Sequence, residues 1–322
     1  CSFVMRASSL LTLLACCAAA GAAIPEATKA EAEAVKKEVD ALREQAQELV
    51  NAKKFDSAVK LLQERGGKWQ RKYGAKSWPM AEVASQLAEA YLACGSACGK
   101  EAGAAELFEK SAAVKGEVFG EGSPQYAEAL ERAADALVQV GQHKRAVPHY
   151  RKLVRSVASN LGETHAATKN MRAKLGSCLL QAKRYSRAAA VLAKLLRQAP
   201  TSEQEARAEV QLATALAHLG RQGEALEHAQ RARELHGRLF GKADVRYART
   251  LNGVAGVLER LGRDQEALEL MQEASDIVTK ALGEEDPTAV SARKNVDGLR
   301  SLVASKAKEA PEAARPATPQ FQ

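Results

Sequence analysis

Aromatic residues are scarce in this chain: they make up 4% of its 322 residues, although 46% are hydrophobic. Alanine fills much of the difference. It is the best helix former, and its small side chain lets helices approach closely, so this balance favours packed helices over sheets. Proline is sparse too. Of nine prolines, Pro25, Pro311, Pro316 and Pro319 sit at the margins, which leaves the body of the chain with few helix breakers. Apart from Gly66 and Gly67 the glycines are scattered singly, and no stretch matches a glycine-rich phosphate loop. The six histidines do not cluster with acids or cysteines at ligand spacing, and no nucleophile–base pair is evident. His228 and His236, eight apart on one helix, read as surface residues. Glu284, Glu285 and Asp286, followed by Pro287, read as a helix entry with acids near its N-terminus and not as a metal site. These absences point away from catalysis, metals and cofactors.

The longest charge-free run, Ala7 to Pro25, lies at the beginning. Cys1 to Val4 precede the first methionine, Met5, and read as upstream translated sequence. Arg6, the apolar stretch Leu10 to Cys17 and the small residues Ala20 to Ala23 make residues 1–25 a cleavable secretory-type signal. Two rivals are an organelle-targeting presequence (mitochondrion or plastid) and a bacterial lipoprotein signal, with Cys16 in an imperfect lipidation box. The expected destination is the secretory pathway, lumenal or extracellular. Without that segment only Cys94, Cys98 and Cys178 remain. Cys94 and Cys98 lie four apart in a glycine-bearing loop and could close a local disulfide in an oxidising compartment, or sit there as two small thiols. Cys178 falls on an apolar helix face and reads as packing.

What is present in quantity is periodicity. From about residue 27, apolar residues recur at helical spacing, broken every twenty or so residues by short polar loops. Gly74, Gly120, Gly162, Gly241 and Gly283 mark one class of loop, with separations of 46, 42, 79 and 42. Gly95, Gly141, Gly220 and Gly262 mark a second, with Ala182 taking the missing slot. Each unit then reads as two antiparallel helices joined by a tight turn. A small residue recurs in the second helix as Ala58, Ala146, Ala188, Ala225 and Ala267, often with a large residue three earlier, such as Phe55 or Tyr185. No single pair could bury its apolar face, so neighbouring pairs must stack.

The pattern G-x-Y/F-x-x-A in stretches such as LERLGRDQEALEL (Leu258 to Leu270), QAKRYSRAAAVL and HLGRQGEALEHA resembles tetratricopeptide repeats. The spacing of roughly 42 residues and loops such as ALGEEDPTAV, NLGETHAAT and FGEGSPQYA are similar to the longer repeats of kinesin light chain. TLNGVAGVLERLGRDQEAL (Thr250 to Leu268) carries the likeness most fully, and the resemblance covers about residues 35–304 as six repeats and a terminal helix. It implies an all-α, right-handed superhelix of stacked helix pairs, with a concave groove lined by the first helices. In the light-chain pattern two adjacent asparagines in each first helix hold a peptide backbone. Here Asn252 meets it, with Gly253 beside it; the other positions hold Ser85 and Gln86, Glu131 and Arg132, Ala173 and Lys174, and Val210 and Gln211. The groove candidates are therefore Arg132, Lys174, Gln211 and Asn252.

Charge is uneven along the array. Between Gln142 and Pro200 there are thirteen Lys or Arg and one acid, Glu163, within a chain whose net charge is +8. Lys144, Arg145, Arg151, Lys152 and Arg155 lie in one helix, and Lys183, Arg184, Arg187, Lys194 and Arg197 follow in the next unit. Arg184, Arg187 and Lys194 share one helical face. Like charges three and four apart without interleaved acids cost roughly 0.2–0.5 kcal/mol per pair. That favours an acidic protein or peptide partner; an anionic membrane surface comes next, and nucleic acid ranks last, since Tyr150 and Tyr185 fit core positions and leave nothing for base stacking. The reading is a non-enzymatic scaffold over residues 26–304, after residues 1–25 and before a disordered tail, 305–322. Its rival is a structural subunit permanently packed in a larger assembly.

Overall fold

The computed structural model describes residues 26–95, 99–198 and 201–309. The expected leader, Cys98 and residues 310–322 lie outside the described residues. Among the described residues there are thirteen α-helices and no strand. They are α1 (Glu26–Asn51), α2 (Phe55–Tyr73), α3 (Trp78–Cys94), α4 (Glu101–Phe119), α5 (Pro124–Gln139), α6 (His143–Leu161) and α7 (Ala166–Gln181). There follow α8 (Tyr185–Leu196), α9 (Ser202–His218), α10 (Gln222–Phe240), α11 (Val245–Arg260), α12 (Asp264–Leu282) and α13 (Pro287–Glu309). The fold is an all-α solenoid of stacked antiparallel helix pairs. A stack in which each pair touches only its neighbours has no single core, and this one divides inside α7 into two compact units, the first ending at Cys178 and the second beginning at Leu179.

In the first unit α1 packs on α2, α3 on α4 and α5 on α6, while α2–α3 and α4–α5 contacts join successive pairs. One cluster gathers Val39, Leu42, Leu62, Trp69, Tyr73, Trp78, Val83 and Val118. In the second unit α8 packs on α9, α9 on α10, α11 on α12, and α13 closes against α12. Its cluster holds Tyr247, Ala248, Leu251, Ala274, Val278 and Ala289. The recurring alanines Ala58, Ala146, Ala188, Ala225 and Ala267 are all fully buried, as is Ala104 in the equivalent slot of the second pair. A larger side chain there would push two helices apart.

The two loop classes have separate backbone reasons. Gly74, Gly120, Gly162, Gly241 and Gly283 have φ between 79 and 93° and ψ between 154 and 160°, a region essentially reserved for glycine. Three residues later each loop supplies a polar residue that starts the next helix: Ser77, Ser123, His165, Asp244 and Asp286. Asp244 Oδ1 accepts from the Arg246 amide at 2.7 Å, Asp286 Oδ1 from the Thr288 amide at 2.7 Å, and Ser123 Oγ from the Tyr126 amide at 3.2 Å. Pro79, Pro124 and Pro287 sit in the first turn, where a missing amide is harmless. In the second class Gly141, Gly220 and Gly262 take the left-handed conformation. The slot assigned above to Ala182 belongs instead to Lys183, whose φ is 58°, matched by Lys53 in the first pair. The Lys183 amide donates to Leu180 O and the Arg184 amide to Leu179 O, the same closure Gly141 and Gln142 make on Val138 and Leu137. Ala182 is one residue early and buried.

The terminal helix outruns its expected end. α13 continues to Glu309, so residues 305–309, assigned above to a disordered tail, are helical. The Ala/Lys/Glu composition of that stretch favours helix, and Lys306 Nζ is held 2.5 Å from Asp264 Oδ2 of α12.

Size is matched between one second helix and the next first helix. A Cβ added at Gly116 would lie 2.8 Å from the Tyr126 ring, and one at Gly237 3.4 Å from the Tyr247 ring. At the equivalent places in three other loops the residues are Ala158 with Thr168, Thr279 with Ala289, and Gln70 with Met80, so the pairing of a larger with a smaller residue holds in every loop but the first. Gly116→Ala is therefore expected to destabilise the chain by about 1–2 kcal/mol despite the better helix propensity of alanine. On a Tyr126→Thr background the same change should cost nothing. Urea denaturation of the four chains of that cycle measures both, and a cost unchanged by Tyr126→Thr would refute the size match.

Candidate protein-binding surfaces

In a stack of repeats, the side chain facing a charged group comes from about one repeat away, and several of the expected basic residues are neutralised in that way. Arg145 lies 2.5 Å from Glu109 of α4, whose other oxygen is 2.9 Å from His149. Lys152 approaches Glu121 at 3.9 Å. Glu163, the lone acid of the basic stretch, lies 2.5 Å from Arg172, which is buried. Counting acids along the basic stretch finds Glu163 but misses Glu109 and Glu121. Among the described residues Lys144, Arg151 and Arg155 of α6 are exposed and make no ion pair.

The first-helix positions of the first unit form a charge ladder. Arg132 of α5 pairs with Glu89 of α3 and, at 3.0 Å, with Glu128. Lys174 of α7 lies 2.7 Å from both Glu131 and Asp135 of α5. The Tyr150 hydroxyl donates to Asp135, and burial with that carboxylate beside it raises the phenol well above its ordinary value. Ser85 and Gln86 are buried, with Ser85 hydrogen-bonded to Ser111 at 2.8 Å. Arg132 and Lys174 are thus engaged with acids of their own array. Cys178, as expected, is buried and free, its thiol pushed up to about 11 by burial. Cys94 is disulfide-bonded.

The second unit keeps more open charge. Lys183, Arg184, Arg187, Lys194 and Arg197, on and beside α8, are all exposed. Among the described residues Lys183, Arg184, Arg187 and Arg197 make no ion pair. Tyr185 is half-buried, its ring stacked on His218 at 3.9 Å and an interplanar angle of 8°. His218 Nε2 accepts from Arg260 Nε at 2.9 Å, and burial, Arg260 and Lys183 hold this imidazole below its usual value.

The first helices α9 and α11 and the end of α10 line a cavity of about 310 Å³ that opens to solvent, with Gln211 in its wall; Asn252 of α11 is exposed but not among its lining residues. Glu203, Arg207, Val210 and Gln211 line it from α9, His236 and Phe240 from α10, and Arg246, Arg249 and Thr250 from α11. Arg207 lies 2.5 Å from Glu203. Arg246 lies 2.9 Å from Asp244 and 3.7 Å above the Phe240 ring, and it holds the Asp244 carboxyl down at about 2. Among the described residues Arg249 makes no ion pair. Close packing sets the floor: a Cβ added at Gly253 would lie 2.7 Å from Val210, so the asparagine pair of the light-chain pattern has no room beside Asn252.

His228 and His236 are not the surface pair expected above. His228 Nδ1 bonds to Glu209, which is buried. His236 is 5% exposed and its Nδ1 lies 2.6 Å from Thr250 Oγ1. The spacing of Ala225, Ala229, Ala232 and His236 traces one buried stripe on α10, so a helical period drawn through the alanines places His236 inside. None of the cavity arginines carried such a signal.

These helix pairs match known proteins. Residues 204–295 match the family described as tetratricopeptide repeat. That segment carries tetratricopeptide repeats. The crystal structure of a Podosopora anserina putative kinesin light chain with nearly identical repeats of this kind shares 20% identity, covers 63% of this chain and 97% of its own, and superposes with a TM-score of 0.51. A second solved structure, BtubC (BKLC) from P. vanneervenii, has 16% identity over 76% of this chain and 92% of its own, with a TM-score of 0.49. No curated protein matches. The first likeness shows the fold, and tetratricopeptide repeats are a protein-binding architecture.

His236 is held below its ordinary imidazole value by burial first, then by Arg207 and Arg246, against the opposing pull of Glu203. A histidine depressed on folding leaves the unfolded state binding more protons, so stability is complete above the unfolded value of about 6.5 and is lost as pH falls through it. The thermal midpoint should therefore drop between about pH 8 and about pH 5.5, and drop less in the His218→Gln/His236→Gln chain. Equal drops in both chains would overturn the assignment of the loss to these two imidazoles.

Proposed function

We propose that this tetratricopeptide-repeat protein is a non-enzymatic scaffold that holds an acidic segment of a partner protein, with the cationic face of α8 as its electrostatic contact. The observation that carries this is the contrast between the basic residues of the two units. Arg145, Lys152 and Arg172 have acids supplied by their own array, whereas Arg184, Arg187 and Arg197 stand exposed without an ion pair among the described residues. An uncompensated cationic face is unfavourable for the free chain and raises the local concentration of an anionic partner. In the first unit, taken by itself, Lys144, Arg151 and Arg155 of α6 are likewise exposed without an ion pair among the described residues. We further place the mature protein in an oxidising, lumenal or extracellular compartment, a setting in which a disulfide such as that of Cys94 persists.

The test is binding of a fluorescein-labelled hexaglutamate peptide, followed by anisotropy at low and at high salt, with co-purification from native cells alongside. Affinity should fall steeply with salt, and Arg184→Glu/Arg187→Glu/Arg197→Glu should weaken it by about tenfold or more, about 1.4 kcal/mol. Partners that co-purify at fixed stoichiometry through high salt and ignore the triple variant would sink the acidic-segment reading in favour of a structural subunit. Binding of the unaltered chain to phosphatidylserine vesicles but not to the peptide would move the partner to a membrane surface.

A further inference from the structure

The position five residues before each inter-repeat glycine is buried in four of the five loops and half-buried at Val157. It holds Trp69, Lys115, Val157, His236 and Val278 in the five loops. Two of these side chains can carry charge, and they are served differently. Lys115 is buried, but Glu82 of the preceding helix lies 2.7 Å from its Nζ, so its counter-charge is built in. His236 is equally buried and has only a hydroxyl, that of Thr250, at 2.6 Å. Its Nε2 has no protein partner among the described residues, and its ring borders the cavity.

The hydrogen bonds around Thr250 leave that nitrogen free to donate. Thr250 Oγ1 also lies 3.3 Å from the backbone oxygen of Arg246. With the hydroxyl donating to that carbonyl, it accepts from Nδ1–H, and a proton on Nε2 then points to the cavity unpaired. The other groups facing this imidazole are Glu203 and Arg207 from α9 and Arg246 and Arg249 from α11. Glu203 offsets Arg207, and Asp244 offsets Arg246. Arg249 is left over, so the cavity carries one uncompensated positive charge before His236 is protonated.

We infer that this cavity binds a single carboxylate side chain of an acidic partner segment, with Arg249 as its charge partner, Arg207 shared between it and Glu203, and His236 Nε2 as a hydrogen-bond donor. The proposal deepens the scaffold reading and rests on it, although it uses none of the α8 residues. About 310 Å³ accommodates an aspartate or glutamate side chain with its adjoining backbone, and not a folded element. Val210 and Phe240 supply apolar walls against which the methylene groups of that side chain can pack. Arg246 is already pinned by Asp244 and by the Phe240 ring, so little side-chain freedom is lost there on binding. A bound carboxylate provides the counter-charge that His236 lacks, and binding takes up a proton. Affinity then rises as pH falls from the imidazole value of the complex toward the lower value of the free chain.

The experiment uses the full chain and the fluorescein-labelled hexaglutamate probe, with a hexaglutamine probe as the uncharged control. Three variants are compared, each checked by thermal melting: Arg207→Gln/Arg249→Gln, His236→Gln, and the α8 triple variant. The cavity pair should weaken hexaglutamate binding about tenfold and leave the weak hexaglutamine signal unchanged. The unaltered chain should bind about fivefold more tightly near pH 6 than near pH 8, and His236→Gln should remove that dependence. Loss in the α8 triple variant with no change in the cavity pair overturns the cavity site and leaves the scaffold reading standing. Loss in the cavity pair alone supports the cavity and removes α8 from the reading. No loss in either overturns both, and a pH dependence that survives His236→Gln overturns the role of that histidine.

Discussion

Each helix pair in this protein has one apolar face and nothing within the pair to cover it, so every pair is completed by its neighbour. Fully buried alanines at one slot of each second helix, Ala58, Ala104, Ala146, Ala188, Ala225 and Ala267, let the helices come close enough for that completion. The same closeness forces the reciprocal sizes of Gly116 with Tyr126 and Gly237 with Tyr247. It also dictates electrostatics. A side chain on one first helix faces the first helix of an adjacent pair, and the ion pairs Arg43–Glu82, Arg132–Glu89 and Lys174–Glu131 all span about one repeat of sequence. The array is therefore a set of local interfaces, each with its own charge balance, and a binding site appears where one interface leaves that balance open.

How much of this is legible in the sequence depends on whether a feature is written locally. The loop glycines are: their positive φ admits little else, so Gly120, Gly162, Gly241 and Gly283 announce turns without any knowledge of the fold. The helix starts are local too, because Asp244 and Asp286 satisfy amides two residues away. Lys183 shows the limit, since a left-handed lysine leaves no compositional mark and the neighbouring alanine is the more natural guess. The ion pairs are not local at all. Arg145 looks uncompensated among Lys144, Arg151 and Lys152, and becomes neutral only when the stack brings Glu109 beside it. For the same reason Arg207, Arg246 and Arg249 are unremarkable in three separate stretches of chain and meet only around one cavity.

Buried titratable groups then separate structure from recognition. A charge in a core slot is tolerated when its partner is part of the same interface, because the cost of removing it from water is offset by a fixed neighbour. Lys115 with Glu82 and Arg172 with Glu163 meet that condition, and each ties one segment of the chain to the next. His236 meets it only while neutral, with Thr250 as its hydrogen-bond partner. A neutral imidazole costs little to bury and remains available for a proton when an anion arrives, which neither Lys115 nor Arg172 can do without leaving its partner. The histidine therefore gives this interface two charge states, where an ion pair would give it one, and the energy that separates them is set by what occupies the cavity. An interface meant only to hold repeats together has no use for that second state; one that waits for a carboxylate does.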